Sequence, residues 1–373
     1  MAEYKRKKII YLPRWYPNKF DSMPGLFIQR HAEAANIYCD IGVVYVQSVD
    51  YCKTVEKYEF DNEIVNGVPT IKVYYRNPSY NIPLICQLHK FIKFYKANFR
   101  GINLMKNEIK GLDYLHIHIL TRLGLIGLYY KWFHAKKYFI SEHWSRYLDL
   151  TQGFKGGIRK ALTKVVVRNA TAVTTVTENL ANAMRSHGLA NDNYIVMPNV
   201  VSSEFMEMNN ITKVNNIVKN IIHVSCFEDK SKNISGILNV ARKLSDKRKD
   251  FRFTMIGDGM DFIRLKDYSD DLKISKDIIQ FTGLLEGNEL VKQMKTADIL
   301  LIFSNYENFP VVINESFSLG IPVMATRVGG IPENVDDYNG VIVNPGDEED
   351  LLDKLNQFLD NNYQFDNEKL MSK

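Results

Sequence analysis

Short apolar runs rich in β-branched residues alternate along the chain with longer stretches in which apolar residues recur every three or four positions. The first kind predicts buried strands, and the second predicts helices crossing between them. Such alternation specifies an α/β fold, because a strand followed by a crossover helix returns to the same sheet in the same direction. In the first half, strands are predicted at KKIIYL (7–12), IGVVYVQS (41–48), YLHIHI (114–119), KKYFISEH (136–143) and TAVTTVT (171–177). Helices are predicted between them near Leu26 to Asn36 and Arg159 to Asn169. The series starts again at IIHVSC (221–226) and continues through FRFTMIG, IIQFTG, ADILLIF and IPVMAT. Two series predict two doubly wound sheets, in keeping with a length of 373 residues. The polar, Asn-rich stretch between them (199–220) has no sustained period, which places a boundary within 200–218 and domains at 1–205 and 206–373. No short fixed-period repeat occurs, which sets solenoids and coiled coils aside.

Composition narrows the class. With 45% apolar and 24% charged residues, the chain can fill two cores and is not of the disordered type. Cys39, Cys52, Cys86 and Cys226 are scattered without a Cys-x-x-Cys pair, so neither a disulfide framework nor a thiolate metal cage is expected. The first residues lack a signal-peptide core and no apolar run is long enough to span a bilayer, so a cytoplasmic location is expected. The net charge is only +5, but Lys5, Arg6, Lys7 and Lys8, and then Lys90, Lys93, Lys96, Arg100, Lys106 and Lys110, crowd the first third. That asymmetry points to an anionic partner. Between 85 and 106, Ile85, Leu88, Phe91, Ile92 and Tyr95 recur at helical spacing among lysines. Two readings stand: a helix resting on anionic lipid at the inner face of the membrane, or a core-facing helix with a solvated basic face. Nucleic acid is not expected, since no recognised binding motif accompanies the charge.

The segment after ADILLIF carries the chemistry. In SNYENFPVVINESFSLGIPVMATRVGGIPE, seven residues separate Glu307 from Glu315. Pro310 suits the first turn of a helix, Gly320 its C-terminal stop, and Pro322 the entry to the next strand. Glu307 then precedes the helix while Glu315 projects from it more than a turn later, so the two carboxylates reach different parts of one ligand. Backbone N–H groups around Phe309, Val311 and Val312 at the helix start have no helical acceptors and suit a diphosphate.

Ser304, Glu307, Glu315, Gly320, Pro322, Val323, Gly329, Gly330 and Glu333 together form a longer pattern. In these residues the chain resembles the retaining glycosyltransferases of family 4, of the kind found in bacterial surface polysaccharide biosynthesis. The likeness runs through most of the chain and is most specific from Ile221 to Asp350. It implies the GT-B fold: two doubly wound Rossmann-like domains facing each other across a cleft, the N-terminal one binding the acceptor and the C-terminal one the donor. It further implies that Glu315 holds the ribose hydroxyls and that Glu307 faces the transferred sugar. Asn308 and Phe309 stand where the family commonly has glycine, so sugar specificity is expected to differ.

Other positions follow from the same resemblance. After IIHVSC the family places an Arg and, about six residues on, a Lys, both directed at the diphosphate; Lys232 fits the second, while Cys226 occupies the first. Lys232 or neighbouring Lys230 is therefore expected to carry more of the charge. The nucleobase is implied against the main chain near Ile279 and Phe281, Gly25 lies in the loop expected near the donor phosphates, and His143 is directed at the donor sugar. His116 and His118 alternate along one strand and are taken as structural or weakly functional, and Gly257 with Gly259 as a tight turn.

The expected activity is retaining transfer of a hexose from a nucleotide diphosphate sugar, UDP-linked before GDP-linked, to a glycan or polyprenyl-diphosphate-linked acceptor in capsule or related synthesis. Glu307, His143 and Lys232 are the expected catalytic residues. Gly25, Lys230, Lys232, Ile279, Phe281, Asn308, Phe309, Pro310, Val311, Val312 and Glu315 are the expected donor-binding set. No Asp-x-Asp triplet is present, so no metal and no cofactor beyond the donor is expected. A nucleotide-sugar epimerase or hydrolase on the same fold, or a non-catalytic nucleotide-sugar-binding subunit, remain the alternatives.

Overall fold

The computed structural model describes residues 6–50, 57–78, 82–120, 122–148, 151–206, 217–366 and 370–371. Lys5, Cys52 and residues 207–216 of the Asn-rich stretch lie outside the described residues. By its contacts the chain divides into two compact units, residues 1–176 with 181–200, and residues 177–180 with 201–373.

The first unit is built on eight strands: β1 (Lys8–Pro13), β2 (Asp40–Val49), β3 (Tyr58–Val65), β4 (Val68–Arg76), β5 (Tyr114–His118), β6 (Lys137–Glu142), β7 (Ala172–Thr175) and β8 (Tyr194–Val196). Their order is β3-β4-β2-β1-β5-β6-β7-β8, and every neighbouring pair is parallel except β3 with β4. That hairpin turns through Asn66 and Gly67, both at positive φ (46° and 82°), as a two-residue loop between right-twisted strands requires. The chain leaves β1 on one side through β2 and returns on the other at β5. The carboxyl ends of β1 and β5 are thus the topological switch point, where open α/β sheets gather ligands.

The helix Leu26–Asn36 has the predicted bounds and begins after Gly25. Gly25 sits at φ 73°, and a Cβ there would lie 2.1 Å from the Trp15 carbonyl oxygen, so only glycine permits this crossing. The helix Pro83–Glu108 divides its apolar face between two environments. Phe94, Ala97, Ile102 and Met105 are buried, whereas Ile85, Leu88, Phe91 and Ile92 are 40–60% exposed. The core-facing reading therefore holds only for the later turns. Lys93, expected on a solvated face, is instead buried, and its ammonium donates to the Arg76 carbonyl oxygen at 3.0 Å; a long apolar stem lets lysine lie inward while its tip finds an acceptor.

The second unit has six parallel strands, β9 (Lys219–Val224), β10 (Phe251–Ile256), β11 (Ile279–Gly283), β12 (Ile299–Ile302), β13 (Val323–Thr326) and β14 (Gly340–Val343), ordered β11-β10-β9-β12-β13-β14. Ile221, Phe253, Ile299, Leu301 and Met324 are fully buried in its core. Each such side chain contributes about 1.5–3 kcal/mol by leaving water, which fixes the faces of the strands. Here the switch point lies between β9 and β12.

The helix after β12 is Val311–Ser318. Pro310 is its N-cap rather than part of its first turn: φ of −64° suits a helix, but ψ of 130° keeps the residue extended. At the other end Gly320 N–H bonds to Phe317 O and Ile321 N–H to Ser316 O, with Gly320 at φ 66°. This is the Schellman stop that a C-terminal glycine allows.

Candidate active site

The loops leaving β9 and β12 meet at the switch point of the second unit. Asn305 joins them twice, its N–H donating to the Ser231 carbonyl at 2.8 Å and its side-chain amide to the Lys230 carbonyl at 3.1 Å. That crossing brings Lys232 to Glu307. The Lys232 ammonium donates to Glu307 Oε1, which also accepts from Ser304 Oγ at 3.0 Å. Burial works against the charge on Lys232, but the charge and hydrogen bond of Glu307 outweigh it and raise its pKa, so the ammonium is retained.

The loop after β13 fixes the other side of Glu307. Gly330 N–H donates to Asn308 O at 2.7 Å, and a Cβ on Gly329 would sit 2.0 Å from the Glu307 carbonyl oxygen. Gly329 is therefore a packing requirement of the main chain that carries Glu307, while a Cβ on Gly330 would instead come within 2.1 Å of Thr177 Cγ2. Phe309, Val312 and Glu315 are buried, Glu315 on the helix Val311–Ser318. The N–H groups of Val311 and Val312 belong to the first turn, whose donors have no helical acceptors.

Not every expected residue joins this cluster. The Lys230 side chain is exposed, and only its carbonyl takes part; of the two lysines it is Lys232 that turns inward. Ile279 and Phe281 lie on β11 at the sheet edge, Ile279 inside the core and Phe281 against the rings of Phe227 and Phe262. Gly257 and Gly259 let the turn after β10 press on the turn after β9: a Cβ at Gly257 would come within 1.8 Å of Ser225 O, and one at Gly259 within 2.7 Å of Phe227 N.

In the first unit, His143 follows β6 and packs against the rings of Phe27, His31 and His118 at 4.7, 5.6 and 5.8 Å. Burial lowers its pKa and that of His118, keeping both neutral. His116, bonded to Ser141 Oγ at 2.7 Å, is held down to about 3 by burial. Sequence reasoning did not single out Glu142, the buried carboxylate that organises this strand end. It accepts the N–H groups of Leu120, His143 and Trp144, and burial pushes its pKa up to about 7 against those bonds. The signal was present: an acid near the end of the predicted strand KKYFISEH.

The switch point of the second sheet thus gathers an ammonium paired with a carboxylate, and the helix that carries the buried Glu315 starts a few residues further along the same segment. Comparison with known proteins gives the class. Two family models divide the chain, Glycosyltransferase Family 4 over residues 58–205 and Glycosyl transferases group 1 over residues 207–372. The chain belongs to the family 4-type glycosyltransferases, with the GT-B fold. It is 25% identical over 307 residues to an uncharacterized glycosyltransferase of Methanocaldococcus jannaschii, covering 82% of this chain and 78% of that protein. It is 28% identical to the lipopolysaccharide 1,6-galactosyltransferase of Escherichia coli over 34% of this chain and 36% of that one. Further curated relatives are matched over 22–43% of their length. Among solved structures, Anabaena HepE in complex with UDP-glucose superposes with a TM-score of 0.64 at 16% identity, covering 95% of this chain and 90% of that one. Among the described residues no helix is long and apolar enough to cross a membrane.

Proposed function

We propose that this glycosyltransferase moves a hexose from a UDP-sugar, or failing that a GDP-sugar, to a glycan or polyprenyl-diphosphate-linked acceptor during surface polysaccharide synthesis, with retention of anomeric configuration. The observation that carries the reading is the Lys232–Glu307 pair beside the start of the helix Val311–Ser318. The diphosphate lies against the N–H groups near Phe309, Val311 and Val312, where the helix dipole favours negative charge, with Asn308 and Pro310 shaping the turn. Lys232 neutralises the charge that develops on the leaving phosphate, and Lys230 adds to the local field. Glu315 binds the ribose hydroxyls, Glu307 orients the hexose, and the base rests on the main chain near Ile279 and Phe281. From the first unit, Gly25 serves the donor phosphates and His143 the transferred sugar.

In the step proposed, the acceptor oxygen bonds to the anomeric carbon on the face from which the phosphate departs, and the hydroxyl proton passes to the leaving phosphate oxygen. No side chain need become a covalent nucleophile, and no metal is required where an ammonium and helix-end amides meet the charge. The exposed Ile85, Leu88, Phe91 and Ile92, with Lys96 and Arg100 exposed on the same helix, support peripheral docking on the inner face of the cytoplasmic membrane.

A thermal-shift screen against UDP-, GDP-, ADP- and dTDP-sugars tests the donor, and detection of a lengthened glycan separates transfer from hydrolysis or epimerisation. Stabilisation by none of the four donors would remove the proposal.

A further inference from the structure

A cavity of about 180 Å³ opens at the carboxyl end of the first unit's sheet, lined by residues that include Arg14, Trp15, Gln47, Tyr75, Phe94 and Arg122. At about 30 Å³ per water it has room for roughly six waters. Sites for whole small ligands run to about 300–1,000 Å³, so a nucleotide sugar does not fit but a single polar head group does.

Its charge is one-sided. The Arg14 guanidinium lies 5.7 Å from the Trp15 ring centroid and 4.9 Å from that of Trp144, where Arg146 also rests at 3.4 Å; Arg122 lies 4.4 Å over Phe94. Among the described residues, none of these three arginines forms an ion pair, and Arg14 Nε is buried without a hydrogen-bond partner. Glu142, the acid that most favours the Arg14 charge, already accepts three backbone N–H bonds. Burial first, and then the charges of Arg146 and Arg122, hold the Arg14 pKa below its ordinary value. Gathered guanidinium groups that form no ion pair call for an oxyanion, which arginine binds through paired N–H donors. Gln47 Oε1 is likewise buried without a partner, an acceptor suited to a hydroxyl beside that anion.

We propose that this cavity binds a phosphoryl or carboxylate group of the acceptor, with Arg14 and Arg122 as donors and Gln47 receiving an adjacent hydroxyl. The anion site stands on the cavity and its arginines; its assignment to the acceptor rests on the glycosyltransferase reading above.

The protein's own tryptophans provide the test. Trp15, Trp132 and Trp144 are the only three in the chain and all belong to the first unit, so the second unit, with Lys232, has none. The full chain with Trp132→Phe would be titrated with inorganic phosphate, inorganic diphosphate, glucuronate and glucose while its fluorescence is followed. A saturable change with the anions and none with glucose is expected. Arg14→Gln and Arg122→Gln should each raise the midpoint at least about tenfold, or about 1.4 kcal/mol, while Arg122→Lys, which keeps the charge but not the paired donors, raises it less than Arg122→Gln and Lys232→Gln leaves it unmoved. Earlier saturation by the phosphates assigns a phosphoryl acceptor, and earlier saturation by glucuronate a carboxylate one. No saturable change with any anion, equal saturation by glucose, or midpoints unmoved in both glutamine variants would overturn the proposal. Failure of the donor reading shows separately, as unchanged UDP affinity in Lys232→Gln.

Discussion

Glu307→Gln removes the carboxylate shared by Lys232 and Ser304 and leaves an ammonium facing a neutral amide. The two side chains are only 18% and 12% exposed, so little water remains to screen the charge. Two unit charges about 3 Å apart attract by roughly 5 kcal/mol at an effective dielectric of about 20. Desolvation of both ions cancels part of this, and removing one partner of a buried pair costs about 3–5 kcal/mol. The remaining exposure reduces the expected loss to about 2–4 kcal/mol. Amide hydrogen exchange of peptides from β9 and β12 reads this locally, without involving the first unit. Protection there should fall by about thirty- to several-hundredfold. Because burial opposes the Lys232 charge while Glu307 more than restores it, the net pKa shift is upward from 10.5. A cation raised in this way lends stability that is complete below its unfolded pKa and lost as pH rises through the folded one. The difference between wild type and variant should therefore stay level from neutrality to about pH 9 and shrink only in stronger alkali. In a double-mutant cycle with Lys232→Gln, effects that add within about 0.5 kcal/mol would refute the coupling.

Glu315→Gln should weaken UDP binding by about 10- to 100-fold in calorimetry, the loss expected for charge-assisted bonds to hydroxyls, while Glu307→Gln lowers transfer with a smaller loss of affinity. Gly329→Ala, which adds a carbon 2.0 Å from Glu307 O at φ 56°, should destabilise by about 2–4 kcal/mol and slow transfer; a variant as stable and active as wild type contradicts the packing described. Glu142, raised from 4.5 to about 7, binds a proton more readily folded than unfolded, so wild type should lose a few kcal/mol relative to Glu142→Gln as pH rises across that window, read by tryptophan fluorescence of the first unit. Leu88→Gln with Phe91→Gln should cut binding to anionic vesicles at low salt by about tenfold or more and change stability little, since both side chains are exposed.

Much of this was legible in the residues because burial on both faces leaves strands such as ADILLIF almost wholly apolar, and because Pro310 and Gly320 bracket a helix by their backbone chemistry. The hairpin of β3 and β4 escaped notice although Asn66-Gly67 marks it, as did β14, while β8 with three residues is too short for a period to stand out. Which turns of the helix Pro83–Glu108 are covered could not be read from its spacing, since the same apolar period serves a core and a bare face. Nor does the order of residues say that Asn305 ties two loops together, or that Arg14 and Arg122 line one cavity from β1 and a distant helix start. Those meetings are made by the sheet order, where the strands flanking each switch point come from separated parts of the chain.

The account turns on where the nucleotide binds. A crystal structure of the full chain soaked with UDP tests it most directly: the diphosphate should lie at the start of the helix Val311–Ser318 within hydrogen-bonding reach of Lys232, and the ribose against Glu315. UDP found consistently at another place on the protein, away from Lys232 and this helix start, would contradict it.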